Sequence, residues 1–137
     1  MAPDLADAAI LVVEDNADNL FIALELLRRA GVGYCGGCAS GTQLFERIAD
    51  LGRRIDLILL DLQIPVENGY TILERIRALP HLRDTLVVAL TANVLPHDVA
   101  RARAAGFDGL IGKPINGRRF AEQIGRALAG EEIWEAR

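Results

Sequence analysis

Five short apolar runs punctuate the chain: Ala9 to Val13, Val32 to Gly36, Leu57 to Leu60, Leu86 to Leu90, and Gly109 to Gly112. Runs one, three and four are continuously apolar rather than alternating, which is the pattern of strands covered on both faces. The second, rich in glycine, reads as an edge. Between and after them, residues 17–30, 41–51, 68–79, 96–105 and 116–129 carry apolar positions at three- and four-residue spacing, which predicts helices. Punctuation agrees with this division. Asn16 and Ser40 stand where helix caps belong, Gly31 and Gly52 follow the first two helices, and Pro80 closes the third. Strand and helix in strict alternation predict an α/β fold with a parallel sheet. One domain is expected over residues 9–129, between an N-terminal tail, 1–8, and a short acidic C-terminal tail, 130–137, that leaves no room for an output domain.

A chain of 137 residues, 51% hydrophobic and 25% charged, is long enough to bury one core without disulfides or a structural metal. The net charge of −4 offers no basic excess to neutralise phosphates, so nucleic acid is not an expected partner. The acidic start does not resemble a signal peptide, and no apolar run reaches membrane-spanning length. The cytoplasm is the expected compartment. Cys35 and Cys38 form a C-G-G-C, the spacing of a redox pair or of half a zinc site; no second pair completes a metal site and Ala39-Ser40-Gly41 separates the cysteines from the next helix, so both read as strand cysteines acting as small hydrophobes.

In open parallel sheets, ligands bind at the carboxyl ends of the strands, where the strand order reverses. The first run here ends in Glu14-Asp15, the third in Asp61, the fourth in Thr91 and the fifth in Lys113-Pro114. In a doubly wound, flavodoxin-like (βα)5 sandwich of order 2-1-3-4-5, Asp15 and Asp61 emerge on neighbouring strands roughly 5 Å apart. Two carboxylates at that distance repel by roughly 3 kcal/mol at an effective dielectric of 20. A hard divalent cation, Mg²⁺ or Mn²⁺, offsets that repulsion, and Lys113 reaches in from two strands away. Lys113 is the sole lysine beside fourteen arginines, which suits a position needing a compact ammonium rather than a planar fork.

The segments Leu11 to Asn16, Leu59 to Pro65 with Gly69, Ala89 to Ala92 and Ile111 to Pro114 resemble, in order and spacing, the four signature blocks of response-regulator receiver domains. The resemblance spans residues 9–129. It implies that Asp61 is a phosphoacceptor that attacks a phosphohistidine, a carboxylate acting as nucleophile. It further implies that Asp15, Asp61 and the Gln63 carbonyl hold the metal directly, with Glu14 acting through water. Thr91 and Lys113 meet the phosphoryl oxygens, Ala92 leaves space for the donor, Gln63 and Asn93 tune hydrolysis, and the Lys113-Pro114 bond is cis. Pro65 and Gly69 shape the loop after Asp61. At Leu110, where many relatives carry a switching aromatic ring, this chain departs from the pattern.

The implied partners are a histidine kinase or a histidine phosphotransfer protein, and a downstream protein target. Ile22 and Leu26, beside a first-helix core stripe of Leu20, Ala23, Leu24, Leu27 and Ala30, are candidates for docking a helical partner or for packing against the fifth helix. Trp134 in the tail is read as a cap on the domain or a partner contact. The expected molecule is a stand-alone signalling switch, monomer or weak dimer, that catalyses only its own phosphorylation and dephosphorylation. The alternative is a receiver fragment of a hybrid kinase or larger regulator. A flavodoxin-like cofactor binder is disfavoured because Glu14-Asp15-Asn16 would repel a phosphate. An Asp-nucleophile phosphatase is disfavoured because it would want a general acid where Gln63 stands.

Overall fold

The computed structural model describes residues 4–64 and 68–135; Pro65 lies outside them. Six strands, β1 Ala9–Val13, β2 Tyr34–Cys38, β3 Leu57–Asp61, β4 Leu86–Thr91, β5 Gly109–Gly112 and β6 Ile133–Glu135, form one sheet of order β2-β1-β3-β4-β5-β6. Every pairing is parallel. Five helices connect or follow the first five strands: α1 Ala17–Arg29, α2 Gly41–Leu51, α3 Gly69–Arg77, α4 Pro96–Ala105 and α5 Phe120–Leu128. This is the doubly wound α/β fold expected from the alternation, with the reversal of strand order between β1 and β3.

Because successive strand residues face opposite sides, each continuously apolar strand feeds two cores. Leu11, Val13, Ile58, Leu60 and Ala89 pack with Leu44, Ile48, Ile72, Ile76 and Ala102 of α2, α3 and α4. Ile10, Val12, Leu59, Val88 and Ile111 pack with Ala23, Leu27, Phe120, Ile124 and Leu128 of α1 and α5. Side-chain caps begin three of the helices, two of them, at Asn16 and Ser40, where the sequence marked them, and the third at Asn68, which the sequence placed inside the third helix. Asn16, Ser40 and Asn68 each accept a hydrogen bond from the backbone N–H three residues on, at Asn19, Gln43 and Thr71. Gly52 closes α2 in the left-handed region with φ 57°.

The main departures from the sequence expectation lie in β2, at the start of α5 and in the C-terminal tail; α3 also ends at Arg77, two residues short of the expected 79. β2 runs Tyr34–Cys38 rather than Val32 to Gly36, because the Val32 and Gly33 N–H groups donate to Leu27 and Leu5 on the exit from α1, while Gly37 and Cys38 pair with Val12 and Val13. α5 begins at Phe120 rather than near residue 116, because Asn116 organises a turn, its side chain accepting from Arg118 N–H and its carbonyl from Arg119 N–H. The expected C-terminal tail is not merely a tail: Ile133–Glu135 adds a sixth strand along β5. Cys35 is half-buried and Cys38 buried; both are free thiols, packed into opposite cores, and burial pushes the Cys38 thiol up despite Arg47 nearby.

Candidate functional site

Parallel register sets the site. Val13 pairs with Leu60, Leu60 with Ala89, Asp61 with Leu90 and Thr91 with Gly112, so Glu14, Asp61, Thr91 and Lys113 emerge at one level of one sheet edge. Backbone bonds lock those ends: Glu14 N–H donates to Cys38 O at 2.9 Å, Leu62 N–H to Leu90 O at 3.0 Å, and Lys113 N–H to Thr91 O at 2.8 Å.

Asp61 is only 1% exposed and Glu14 3%. Carboxylates so deeply placed need partners. Lys113 Nζ donates to Asp61 Oδ2 at 2.8 Å and to Glu14 Oε1 at 2.9 Å. The other Asp61 oxygen, Oδ1, accepts from Gln63 N–H at 2.8 Å, and Glu14 Oε2 accepts from Asn16 N–H at 3.1 Å. Burial pushes the Glu14 carboxyl up; Lys113 and the Asn16 N–H pull the other way, and the facing Asp61 adds to the rise. Burial opposes the Lys113 ammonium, yet its two carboxylate partners outweigh that and hold it above the ordinary lysine value. Exposed Asp15 completes a trio: carboxylate oxygens of Glu14, Asp15 and Asp61 lie within 4.8 Å of one another. Three hard oxygen donors with one ammonium leave an excess of negative charge, and a small divalent cation fits that donor set.

Thr91 is buried, and its Oγ1 accepts from Asn93 N–H at 3.0 Å and from the Gln63 amide Nε2 at 3.2 Å. That second contact was not foreseen. The resemblance implies a metal-side carbonyl and a part in tuning hydrolysis for Gln63, and the fold adds that its side chain reaches across the site onto Thr91. Gly69 is required where the loop returns, since a Cβ there would stand 2.9 Å from Leu62 Cα and 3.0 Å from Asp61 O. The Lys113-Pro114 peptide bond is cis. Exposed Ala92 lies at the site mouth. Leu110 is fully buried two residues back from Gly112, in the core shared with α2, α3 and α4.

Beside the site a cavity of about 290 Å³ is bounded by Glu14, Asn19, Ile22, Ala92, Lys113 and Pro114. Ile22 is 51% exposed on its rim, and the neighbouring Phe21 is 61% exposed. Leu26 is half-buried and packs into the core with α5, so the two candidates on α1 part company. Phe21 was not singled out from the sequence; its place next to Ile22 on an outward face is the signal that would have found it.

Comparison with known proteins agrees with this geometry. Residues 10–125 match the response regulator receiver domain family. The chain is 34% identical over 124 residues to the signal transduction histidine-protein kinase BarA of Shigella flexneri, covering 90% of this chain but 13% of the kinase. It is 33% identical over 121 residues to the two-component response regulator ORR41 of Oryza sativa subsp. japonica, covering 88% of this chain and 91% of that protein. Among solved structures, the receiver domain of sensor histidine kinase PA1611 from Pseudomonas aeruginosa PAO1, which has magnesium coordinated in its active-site cleft, superposes with a TM-score of 0.77 at 31% identity, covering 90% of this chain and 98% of that one. The chain thus spans about an eighth of the kinase it resembles and nearly all of the rice response regulator. With its fold, its strand-end acid cluster and this match together, the chain belongs to the response regulator receiver domain family.

Proposed function

We propose that the chain is a phosphorylation switch of a two-component pathway, with Asp61 as phosphoacceptor. The observation that carries this reading is the setting of Asp61: a buried carboxylate held by Lys113 Nζ at 2.8 Å, with two further carboxylates inside 4.8 Å. An Asp61 oxygen attacks phosphorus of a phosphohistidine on a kinase or phosphotransfer protein. The new P–O bond gives an acyl phosphate, the P–N bond breaks, and its electron pair stays on the imidazole nitrogen. Asp15, Asp61 and Glu14 are the residues that would hold Mg²⁺, with the Gln63 carbonyl, and the ion supplies charge neutralisation on the phosphoryl oxygens. Lys113 adds a fixed ammonium on the same side.

Ile22, Phe21 and the cavity beside Lys113 form the docking face for the histidine-bearing helical partner, whose ring must approach Asp61 over the small Ala92. The protein catalyses only its own phosphorylation and dephosphorylation. A second reading, favoured by the 34% identity to BarA, sets the same chemistry inside a longer sensor kinase; an immunoblot of the native polypeptide separates the two by length. Incubation with Mg²⁺ and acetyl phosphate tests the chemistry. An acid-stable, base-labile phosphate should appear, and should be lost in Asp61→Asn; an unlabelled wild type sinks the reading.

A further inference from the structure

Strand β6 lies along β5 with Ile133 opposite Gly109, Trp134 opposite Leu110 and Glu135 opposite Ile111. Gly109 admits it. A Cβ there would stand 2.8 Å from the Ile133 carbonyl oxygen, closer than real contacts allow, while Gly109 is not among the residues with positive φ. The missing side chain therefore makes room for β6 rather than serving the backbone angle. On the α5 face Ile133 is buried, and Glu135 accepts hydrogen bonds from Arg119 at 2.8 Å, Gln123 at 2.8 Å and Arg126 at 3.2 Å. On the other face Trp134 packs against the core that holds Leu110, with the Arg103 guanidinium 4.6 Å from its ring centroid.

This seam is incompletely satisfied. Among the described residues, the buried side-chain polar atoms without a hydrogen-bond partner are Trp134 Nε1 and Gln123 Oε1, one on each face of β6. Orphaned groups favour any arrangement that returns them to water. A cavity of about 290 Å³ also opens at the seam, bounded by Leu86, Arg103, Phe107, Glu132 and Trp134. A three-residue strand so held belongs to the low-stability end of a structure.

The seam also connects to the site. Ala89, Leu110 and Trp134 form one row across the sheet, and Thr91, two residues beyond Ala89, projects to the same face. β5 itself runs into Lys113. We propose that β6 is a releasable strap, docked on β5 while Asp61 is unmodified and displaced when Asp61 is phosphorylated, with Trp134 the residue that moves. The inference rests on Asp61 being the phosphoacceptor. A phosphoryl group there competes for Lys113 and for the Thr91 hydroxyl now held by Gln63. In a close-packed interior, a shift at Thr91 is passed to Leu110 and withdraws support from Trp134.

Trp134 is the single tryptophan, so its fluorescence has one source. The full chain is treated with Mg²⁺ and acetyl phosphate, intact mass reads the extent of phosphorylation, and acrylamide quenching reads indole exposure. Quenching should rise toward the value of unmodified Gly109→Ala, whose Cβ displaces β6, and of Glu135→Ala, which loses the anchor without overpacking. Coupling is reciprocal, so both variants should bind beryllofluoride about fivefold or more tightly than wild type. Unchanged quenching in a fully phosphorylated chain, or wild-type beryllofluoride affinity in both variants, overturns the strap and leaves the phosphoacceptor reading intact. Absence of any gain in mass overturns both.

Discussion

At the residue scale, the site is a balance of buried charges around one ammonium. Lys113 Nζ lies within 2.9 Å of both Glu14 and Asp61, and neither carboxylate has water enough to compensate for its loss. Truncation to alanine leaves two facing, buried acids, the situation in which removal of one ionic partner costs about 3–5 kcal/mol. Lys113→Ala should therefore lower the urea midpoint markedly in the absence of divalent cations. Adding Asp61→Asn to it should recover much of the loss, because one of the facing charges is gone. Additive losses in that double-mutant cycle would contradict the assignment of the penalty to carboxylate repulsion. Lys113→Arg tests shape instead of charge: the planar fork does not reproduce a point charge shared between two oxygens.

At the element scale, β6 depends on one carboxylate. Gln123 first, then Arg119 and Arg126, hold Glu135 below the ordinary glutamate value of 4.5. A group depressed in the folded state stabilises fully above its unfolded pKa and loses that contribution as pH falls through the folded one. The melting temperature of wild type should thus exceed that of Glu135→Gln at pH 7, and the gap should close below about pH 4.5. A gap independent of pH would assign the role of Glu135 to hydrogen bonding alone. This element is also where sequence reasoning fell short. β1, β3 and β4 were legible because both faces are apolar, and the helices because apolar positions recur at three- and four-residue spacing, with caps at Asn16 and Ser40 marking the first two. β6 offers three residues, Ile133, Trp134 and Glu135, with a single buried aliphatic, too short for periodicity to register. Its recognition requires Gly109, whose lack of a side chain is meaningful only once Ile133 O is known to lie against it. The strand-end residues Glu14, Asp61, Thr91 and Lys113 could be read because each abuts an apolar run. The Gln63 side chain on Thr91 could not, because it spans 28 residues of chain and depends on the path of the loop.

At the scale of the whole molecule, the acid cluster is a fault in an otherwise well-buried sheet, and its placement at the switch point means that any group bound there also acts on the stability of the fold. Residues selected for packing alone would not leave Asp61 at 1% exposure beside Glu14 at 3%, since unpaired charge is expensive in an interior. A ligand that neutralises the cluster only in the folded state must stabilise the whole domain by mass action. At about 100-fold excess over its dissociation constant, that gain is ~2.7 kcal/mol. For a domain of this size it corresponds to a rise in Tm of about 8 °C. Mg²⁺ titrated into the wild-type chain should produce such a rise, dependent on concentration, while Ca²⁺, which wants more oxygen ligands than three carboxylates and a carbonyl, should produce less. Asp15→Asn should flatten the Mg²⁺ response with little change in the metal-free Tm, because Asp15 is exposed and its charge is already solvated. Asp61→Asn should do both, raising the metal-free Tm by relieving the buried repulsion and abolishing the response. Equal Mg²⁺ responses in wild type and Asp61→Asn would show that the cation acts elsewhere, and the strand-end carboxylates would then need another counter-charge than the one their geometry suits.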